Sequence, residues 1–272
     1  MKVLDNNINT LVQNCLHTIY KGTHLSKEAL FDEFTKILFM LVCEKQNPDK
    51  GLRFSQAQDW FAFTKTYFEK YQLFSAEDTI NINQNILNQI IQVLSDAQVV
   101  ENDNVAIMFE NALNQSFTES LAQFTTPTEI ATYIVDILDP KNGELICDLC
   151  SGVGNILTAV LNNLKKQEGS NERIFSTIYG VEINPRIAYI SRRRLFLQNY
   201  KTYNITHKDS LDKNKDDVNT KYDVICVNPP WGVKTQNKPL ELQFLQKALD
   251  LLVPGGRMAI ILPEMFFFKY TI

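Results

Sequence analysis

Acidic residues and glycines that follow two short apolar segments form the first candidate site. Asp148, Gly152 and Gly154 come at the end of one segment, and Glu182 comes at the end of the next. Because glycine has no Cβ, a ligand can approach its backbone closely. A carboxylate at the end of the following segment can accept hydrogen bonds from two ribose hydroxyls. This spacing therefore favours a binding site for a ligand that carries a ribose.

The segment from Asn228 to Trp231, with the sequence NPPW, is the second candidate site. It follows a short apolar run that has the character of a buried strand. Pro229 and Pro230 cannot continue a sheet, because proline lacks the N–H group that the ladder needs. Trp231 would leave a large apolar surface near solvent. Stability does not explain this ending, so we interpret the whole motif as a candidate for chemistry.

Each of these signals also has a plainer structural interpretation. The glycines could form an ordinary strand-to-helix turn, since Leu157 stands where the dinucleotide fingerprint has its third glycine. Glu182 could cap the helix that starts near Pro185. Asp209, in the KDS segment, could equally be a capping or solvated loop acid. The order and spacing of the signals are more specific than any single one.

Strands and helices alternate from residue 143 onward and would bring these residues to one edge of a sheet. The predicted strands are 145–149, 177–183, 203–207, 222–227 and 257–262, with helices at 155–166, 185–199 and 240–252. Several strands are apolar throughout, which is typical of a parallel sheet covered by helices on both faces. In such a sheet, ligands bind at the carboxyl ends of the strands.

Residues 1–104 are predicted to form a separate, all-helical domain. Ser26 is a candidate N-cap for the helix that follows it. Apolar residues then recur at helical spacing, and further helices are predicted near 55–71 and 82–94. These stripes are ordinary helix packing, so no ligand is assigned to them.

A bridging segment, 105–140, joins the two halves. It begins with a predicted helix over 105–118 and continues with FTTP, Phe124 to Pro127. Thr126 or Thr128 could cap the helix that follows and ends at Leu138. The predicted domains are therefore a helical domain, 1–104, and an α/β domain, 105–272.

Composition and charge limit the class of protein. The chain has 272 residues, of which 44% are hydrophobic and 21% charged, as in a soluble globular protein of one or two domains. No apolar run approaches membrane-spanning length and the first residues lack a signal sequence, so the expected location is the cytoplasm. A net charge of −4 argues against tight binding of nucleic acid by the chain alone.

Cysteines and a run of arginines give no separate site. Five cysteines, an odd number, suggest reduced thiols. Cys147 and Cys150 form a lone C-x-x-C without the second pair that zinc would want, so no metal is predicted. Arg192, Arg193 and Arg194 are expected to form a solvated helix face.

Taken together, these motifs resemble those of the S-adenosylmethionine-dependent amino-methyltransferases. The resemblance is strongest to the modification (M) subunits of type I restriction–modification systems, the adenine-specific DNA methylase family. It is carried by FTTP (124–127), DLCSGVG (148–154), YGVEINP (179–185), KDSL (208–211), NPPW (228–231) and FLQKALDLLVPGGRMAIILPE (244–264). It implies a Rossmann-like class I methyltransferase sheet, preceded by the helical domain, and methyl transfer from S-adenosylmethionine to the exocyclic N6 amine of adenine in DNA.

The resemblance also implies where the cofactor binds. Asp148, Gly152 and Gly154 would hold its methionine part, and Phe124 and Thr125 would line that pocket from the bridging segment.

The nucleoside part of the cofactor is assigned in the same way. Glu182 would bind the ribose, Ile183 would pack on the cofactor adenine, and Asp209 would accept a hydrogen bond from the adenine amine.

The NPPW motif is implied to be catalytic. The oxygen of the Asn228 side chain and the Pro229 carbonyl would accept the protons of the target amine, which favours a nitrogen whose lone pair can attack a methyl group. Pro229 and Pro230 would hold the turn rigid. Trp231 would stack on a target base that has been flipped out of the duplex.

Partners and completeness follow from the same family. DNA would be bound together with a separate specificity subunit, and a restriction subunit and oligomeric assembly are further expectations. The family's sheet has two more strands in an antiparallel hairpin, and the sequence ends before them. We therefore expect a fragment, a shortened gene product or half of a split enzyme, with independent activity left open.

Two alternatives to DNA methylation remain open at this stage. The same acceptor chemistry suits an amino-methyltransferase that acts on a glutamine amide in a protein or on RNA. The chain could also be a truncated, non-catalytic subunit that retains the cofactor fold.

Overall fold

The computed structural model describes residues 2–48, 56–99, 104–117, 125–168, 177–212, 220–235 and 237–269. The chain divides into two compact units, Met1–Gln123 and Phe124–Ile272. This division falls after the helix that begins at Val105, whereas the sequence analysis expected it before that helix.

The first unit is helical in the ranges described. Its elements are α1 (Lys2–Thr23), α2 (Lys27–Lys45), α3 (Ala57–Tyr67), a short 3-10 helix (Glu69–Tyr71), α4 (Gln84–Asp96) and α5 (Val105–Ser116). The predicted cap of α2 is confirmed, because Ser26 Oγ accepts a hydrogen bond from the backbone N–H of Ala29 at 3.3 Å. Nowhere in the described ranges does a helix have the length and apolar character needed to cross a bilayer.

Helix α2 forms the centre of this unit and is buried over most of its length. Phe31 packs edge-on against Phe109 of α5, with 5.3 Å between the ring centroids. The buried Lys36 ammonium donates to Glu33 Oε1 at 2.6 Å, and Glu33 Oε2 accepts the backbone N–H of Asn81 at 2.7 Å. The two buried charges therefore satisfy each other and attach the segment before α4 to α2.

The second unit alternates strands and helices, which confirms the predicted α/β class. Its elements are α6 (Thr128–Leu138), β1 (Leu145–Asp148), α7 (Asn155–Glu168), β2 (Thr177–Glu182), α8 (Pro185–Leu197), β3 (Tyr203–His207), β4 (Tyr222–Val227), β5 (Lys234–Thr235), β6 (Lys238–Pro239), α9 (Leu240–Leu251), β7 (Leu252–Ile260) and α10 (Met265–Lys269). Strands β3, β2, β1, β4 and β7 form one parallel sheet in that order, and β5 pairs with β6 in an antiparallel hairpin.

Helices cover both faces of the parallel sheet. On one face, α6, α7 and α8 pack on a core that includes Leu157 and Val224. On the opposite face, α9 places Phe244 and Ala248 against Ile225. Because β1 and β4 are buried on both faces over most of their length, they appear in the sequence as short apolar runs.

The last strand of the sheet differs from its prediction. β7 begins at Leu252, whereas the sequence analysis placed its start at Arg257. Its register against β4 shifts between Tyr222 and Val224, and Gly255 has a φ of +82°. The Pro-Gly-Gly segment therefore marks an irregularity inside the strand and not a turn before it.

The expectation that Arg192 to Arg194 form a solvated helix face is wrong. Their side chains on α8 are buried, with exposed fractions of 7%, 3% and 7%. Arg192 donates two hydrogen bonds to the Ile205 carbonyl of β3, at 2.6 and 3.0 Å. Arg194 donates to the Val153 carbonyl at 3.3 Å. The guanidinium groups thus satisfy buried carbonyls while their stems pack in the interior.

Candidate functional site

The parallel sheet brings the strand-end residues to one edge. Strands β3, β2, β1 and β4 are successive parallel neighbours, so their carboxyl ends lie at the same edge. In register, Asp148 at the end of β1 lies between Gly180 of β2 and Cys226 of β4. We call this edge the carboxyl rim and define it by residues 148–155, 182–184, 207–211 and 228–231.

The segment 149–154, between β1 and α7, is the glycine corner. Gly152 and Gly154 have φ angles of +51° and +85°, which residues with a Cβ rarely adopt. A Cβ on Gly154 would also lie 2.7 Å from Ser191 Oγ of α8. Glycine at position 154 is thus required both by the backbone angle and by the close approach of α8.

Asp148 is a buried acid with one unused oxygen. Its side chain belongs to a residue that is 1% exposed, and its Oδ1 accepts the backbone N–H of Cys150 at 3.0 Å. Its Oδ2 is buried and has no hydrogen-bond partner in the described part of the chain. Burial raises the pKa of Asp148 to about 7, and the charge of Glu182 acts in the same direction. Such a carboxyl is suited to receive a cationic donor, which it lacks among the described residues.

The end of β2 presents an oriented carboxylate beside an exposed apolar side chain. Glu182 Oε2 accepts the backbone N–H of Gly152 at 2.9 Å, and its Oε1 accepts that of Asn184 at 2.8 Å. Ile183 is 67% exposed. Each carboxylate oxygen keeps a further lone pair for a ligand hydroxyl, and Ile183 offers a surface for a flat apolar group.

The segment after β3 also reaches the glycine corner. Asp209 is exposed, and its Oδ1 accepts the backbone N–H of Leu211 at 2.9 Å. The neighbouring Ser210 is buried and donates from Oγ to the Leu149 carbonyl at 2.6 Å. Sequence reasoning missed Ser210, because a serine in a loop carries no signal of a distant carbonyl partner.

Asn228 lies half-buried at the end of β4, on the carboxyl rim. Its Nδ2 donates to Thr126 Oγ1 at 3.0 Å. Thr126 also accepts, through its backbone carbonyl, a hydrogen bond of 2.5 Å from Asn155 Nδ2. Asn155 directly follows the glycine corner, so Thr126 connects that corner to the NPPW motif.

The only individual role that the sequence predicts for Thr126, within the FTTP motif, is that of a helix cap. Neither Thr126 nor Thr128 caps α6 with its side chain, since the N-cap residue is Pro127 and it makes no side-chain cap. Of the predicted pocket residues in this segment, Thr125 is half-buried and Phe124 lies outside the described residues.

The remainder of the NPPW motif is held by β7 and α9. Pro229 is buried and Pro230 half-buried. Trp231 is 50% exposed, and its Nε1 donates to the Ile261 carbonyl just beyond β7 at 3.1 Å. The indole is therefore fixed at its edge while half of its surface stays accessible.

Glu241 supports this turn and was also missed from the sequence. It is 5% exposed, and its Oε1 accepts the backbone N–H of Gly232 at 2.7 Å. Its Oε2 is buried without a partner among the residues described. A glutamate in the first turn of a helix is an ordinary surface pattern, so its burial could not be predicted from the sequence.

The residues at the rim fit a ligand that combines a cation with a nucleoside. Asp148 supplies the unsatisfied acid, and Gly152 and Gly154 let a ligand approach the backbone. Glu182 and Ile183 supply a hydroxyl acceptor and an apolar surface one strand away. Hydrogen bonds directly join Gly152 to Glu182, while Asn228 is joined to this group through Thr126 and Asn155.

Comparisons with known proteins place the chain among methylases. The family model described as N-6 DNA Methylase matches residues 100–271. The methylase subunit of the type I restriction enzyme EcoEI from Escherichia coli is 27% identical over 214 residues, which are 71% of this chain and 44% of that protein. The type II methyltransferase M.VspI from Vibrio sp. (strain 343) is 32% identical over 198 residues, 66% of this chain and 46% of that protein. The chain thus spans less than half the length of these two relatives.

The fold has a similar counterpart in a solved structure. The methyltransferase subunit of the type I restriction-modification system from Streptococcus thermophilus superposes with a TM-score of 0.64 at 16% sequence identity, over 96% of this chain and 75% of that one. At this identity the similarity concerns the fold alone. The family model, however, covers more than half of the sequence, including every segment of the carboxyl rim. This chain belongs to the N-6 DNA Methylase family.

Proposed function

We propose that this chain carries out methyl transfer from S-adenosylmethionine to the exocyclic N6 amine of adenine in DNA, as the modification subunit of a restriction–modification system. The observation that carries the proposal is the place of Asn228, on the same rim as the glycine corner and half-accessible. Membership of the N-6 DNA Methylase family supports an adenine amine as the acceptor. The names of the two relatives, a type I methylase subunit and a type II methyltransferase, support a role in modification.

The methionine part of the cofactor would lie at the glycine corner. When bound, S-adenosylmethionine supplies a methyl group on a positively charged sulfur. Ionised Asp148 would accept a hydrogen bond from an ammonium, and the missing Cβ atoms of Gly152 and Gly154 would allow close approach of the ligand. Phe124 and Thr125 would line the same pocket.

The nucleoside part would lie along the ends of β2 and β3. Glu182 would accept hydrogen bonds from the ribose hydroxyls, and its two backbone donors hold it ready for that contact. Ile183 would cover one face of the cofactor adenine. Asp209 would accept a hydrogen bond from the amine of that ring.

Asn228 and Pro229 would prepare the target amine. The lone pair of the exocyclic nitrogen is conjugated with the purine ring, which makes it a poor nucleophile. Two fixed acceptors, Asn228 Oδ1 and the Pro229 carbonyl, would bind its protons and favour a more pyramidal nitrogen whose lone pair is free to attack. Acceptors that are in place before charge develops need no reorganisation during the reaction. Pro229 and Pro230 limit the motion of the turn.

Trp231 would receive the target base. An adenine inside a duplex cannot reach the rim and has to be flipped out. Stacking on an aromatic side chain is worth about 1–3 kcal/mol per base, which offsets part of the unpairing cost. The half-exposed indole, held at its edge by the Ile261 carbonyl, offers such a face.

The partners in this proposal are DNA, a separate chain that reads the DNA sequence, and a restriction subunit. An overall charge of −4 is poorly suited to tight DNA binding without such help. We propose the cytoplasm as the compartment, and an oligomeric complex as the working form.

The experiment is transfer of a labelled methyl group from S-adenosylmethionine to unmethylated duplex DNA, with and without candidate specificity subunits. Digestion of the product should release labelled N6-methyladenine. RNA and cell-protein acceptors run in parallel, because label in RNA or in glutamine residues, with none in DNA, would assign a different substrate.

Asn228→Ala is the matched variant for this assay. It should abolish transfer and leave the calorimetric affinity for S-adenosylmethionine within about twofold, because Asn228 acts on the acceptor and not on the cofactor. Equal loss of transfer and of cofactor affinity would mean that Asn228 is structural. Absence of any heat of cofactor binding to the wild-type chain would favour a non-catalytic subunit.

A further inference from the structure

We infer that Thr126 is a positioning residue for Asn228, an inference that rests on the proposed function. Its hydroxyl oxygen holds the Asn228 amide so that Nδ2 faces Thr126 and Oδ1 faces the target amine. Thr126 itself need not touch substrate for this role.

The position of Thr126 is fixed from several sides. The residue is 6% exposed, and Pro127 and the start of α6 follow it directly. Its backbone carbonyl accepts the hydrogen bond from Asn155 Nδ2. Asn155 in turn accepts through Oδ1 from the buried Arg194 guanidinium of α8. The hydroxyl is therefore presented to Asn228 from a support that is anchored to two helices.

An asparagine side chain needs such support, because its two ends have opposite hydrogen-bonding character. The amide nitrogen donates and the amide oxygen accepts, and a half-turn about the last side-chain bond exchanges them. Only the orientation with Oδ1 at the rim can accept a hydrogen bond from an amine N–H. In the structure Nδ2 donates to Thr126 Oγ1, and among the residues described Asn228 Oδ1 accepts no hydrogen bond, so this bond holds the amide with Oδ1 left for the target amine.

The orientation can be observed without any turnover, by nitrogen-15 labelling of asparagine in the full chain. The Asn228 side-chain amide is assigned from the signal that is lost in Asn228→Ala. In the wild type and in Thr126→Ser, which keeps the hydroxyl, one Nδ2 proton should be protected from solvent exchange. In Thr126→Val, which keeps the shape and removes the hydroxyl, its exchange should accelerate by about fivefold or more, as loss of one hydrogen bond implies. Thr132→Val removes a hydroxyl on α6 that bonds within the helix, and should change nothing.

The consequence for catalysis is measured by single-turnover methyl transfer to adenine-containing DNA. Thr126→Val should reduce the rate about tenfold to a hundredfold, the usual range for a lost electrostatic contact to developing charge. Its affinities for S-adenosylmethionine and for DNA should stay within about twofold of wild type, and Thr126→Ser should restore most of the rate.

The amide-exchange and methyl-transfer experiments together separate this inference from the proposed function. An Asn228 amide that exchanges freely in the wild type, or stays protected in Thr126→Val, overturns the inference whatever the activity is. A rate in Thr126→Ser as low as in Thr126→Val also overturns it, since the hydroxyl would then not be the agent. A protected amide in a wild-type chain that methylates no adenine, with or without candidate specificity subunits, leaves the orientation in place and refutes the proposed reaction.

Discussion

The backbone N–H of Gly152 donates to Glu182 Oε2 across 2.9 Å, so the glycine corner and the end of β2 are joined by a single bond. The other carboxylate oxygen accepts the N–H of Asn184 at 2.8 Å. The acid proposed to bind the ribose therefore also supports the backbone proposed to bind the methionine part of the cofactor.

Glu182→Gln tests the two roles of this side chain, as a ligand acceptor and as a support for the glycine corner. One of the two backbone donors would then face an NH₂ group, so the acceptor for Gly152 or for Asn184 is lost together with the charge. We expect the affinity for S-adenosylmethionine to fall by about tenfold or more, measured by calorimetry. Glu129→Gln, an exposed charge in the first turn of α6, is the control and should leave the affinity unchanged. A Glu182→Gln protein with full affinity would remove Glu182 from the binding site.

The affinity for S-adenosylmethionine should depend on pH through Asp148. Burial raises the pKa of Asp148 to about 7, so most molecules carry a neutral carboxyl below that pH. An ammonium favours the ionised form, so we expect binding to strengthen about tenfold between about pH 6 and about pH 8. At about pH 6, binding should release a proton from the Asp148 carboxyl. Titrations in buffers of different ionisation enthalpy measure both quantities.

Asp148→Asn is the control for that pH dependence and should flatten it. The stability of the ligand-free protein gives an independent check. Because the pKa of Asp148 is higher in the folded than in the unfolded chain, the contribution of Asp148 to wild-type stability should fall as the pH rises from about 4 to about 7 and then level off. The stability advantage of Asp148→Asn, followed by thermal unfolding, should grow over the same interval. A constant difference between the two proteins would contradict the assignment.

Gly154→Ala should destabilise the protein more than Gly143→Ala does. Both glycines have positive φ angles, +85° and +96°, so both substitutions strain the backbone by about 1 kcal/mol. Only at position 154 would the new Cβ meet another group, Ser191 Oγ at 2.7 Å, whereas nothing lies within 4 Å at position 143. We expect an additional loss of about 1–3 kcal/mol in the free energy of unfolding, measured with denaturant.

The double variant Gly154→Ala/Ser191→Ala tests the cause of that loss. Removing the Ser191 hydroxyl should recover most of the additional loss in the free energy of unfolding and leave the part that comes from backbone strain. Equal costs at positions 143 and 154 would show that α8 moves away easily.

DNA binding should depend on the hairpin that follows Trp231. Lys234 of β5 and Lys238 of β6 are exposed, and Gln243 Nε2 pins the hairpin by donating to Thr235 Oγ1 at 2.9 Å and to the Lys238 carbonyl at 3.1 Å. If each lysine meets one phosphate, Lys234→Gln and Lys238→Gln should each weaken binding and reduce the salt slope by about 0.9. Fluorescence anisotropy of a labelled duplex at several salt concentrations, with a candidate specificity subunit present, measures both.

Lys166→Gln is the matched control for the hairpin lysines. Lys166 is exposed in the last turn of α7, which starts at the carboxyl rim and runs back along the sheet. Its replacement should leave the salt slope unchanged. An equal effect at Lys166 would mean that the lysines act only through overall charge.

The strands of the sheet were predictable because buried parallel strands are short apolar runs. β4 is such a run and has the predicted bounds, Tyr222–Val227. β3 also has its predicted bounds, Tyr203–His207, although only Ile205 in it is buried. The error in β7 arose at its Pro-Gly-Gly segment, since the same residue types mark both a turn and an irregular strand.

The supports of the candidate site were not predictable in the same way. Thr126 and Asn228 are 102 residues apart in the chain, and neither has a local pattern that announces a partner. The prediction for the arginines of α8 was wrong for a related reason, because three consecutive charges are typical of a solvated surface. Their burial is compatible with their charge because carbonyls on neighbouring elements, such as those of Ile205 and Val153, accept hydrogen bonds from their guanidinium groups.

The strand order has a consequence for how the rim comes into existence during synthesis. β1 is the first strand of the sheet to leave the ribosome, yet it lies between β2 and β4, and the N–H of Leu145 bonds to Asp223 of β4, 78 residues later. Closing so long a loop is entropically costly and slow. A nascent chain halted before β4 would lack one wall of the rim. Chains stalled at increasing lengths should therefore retain the ligand of the rim only once β4 has joined the sheet.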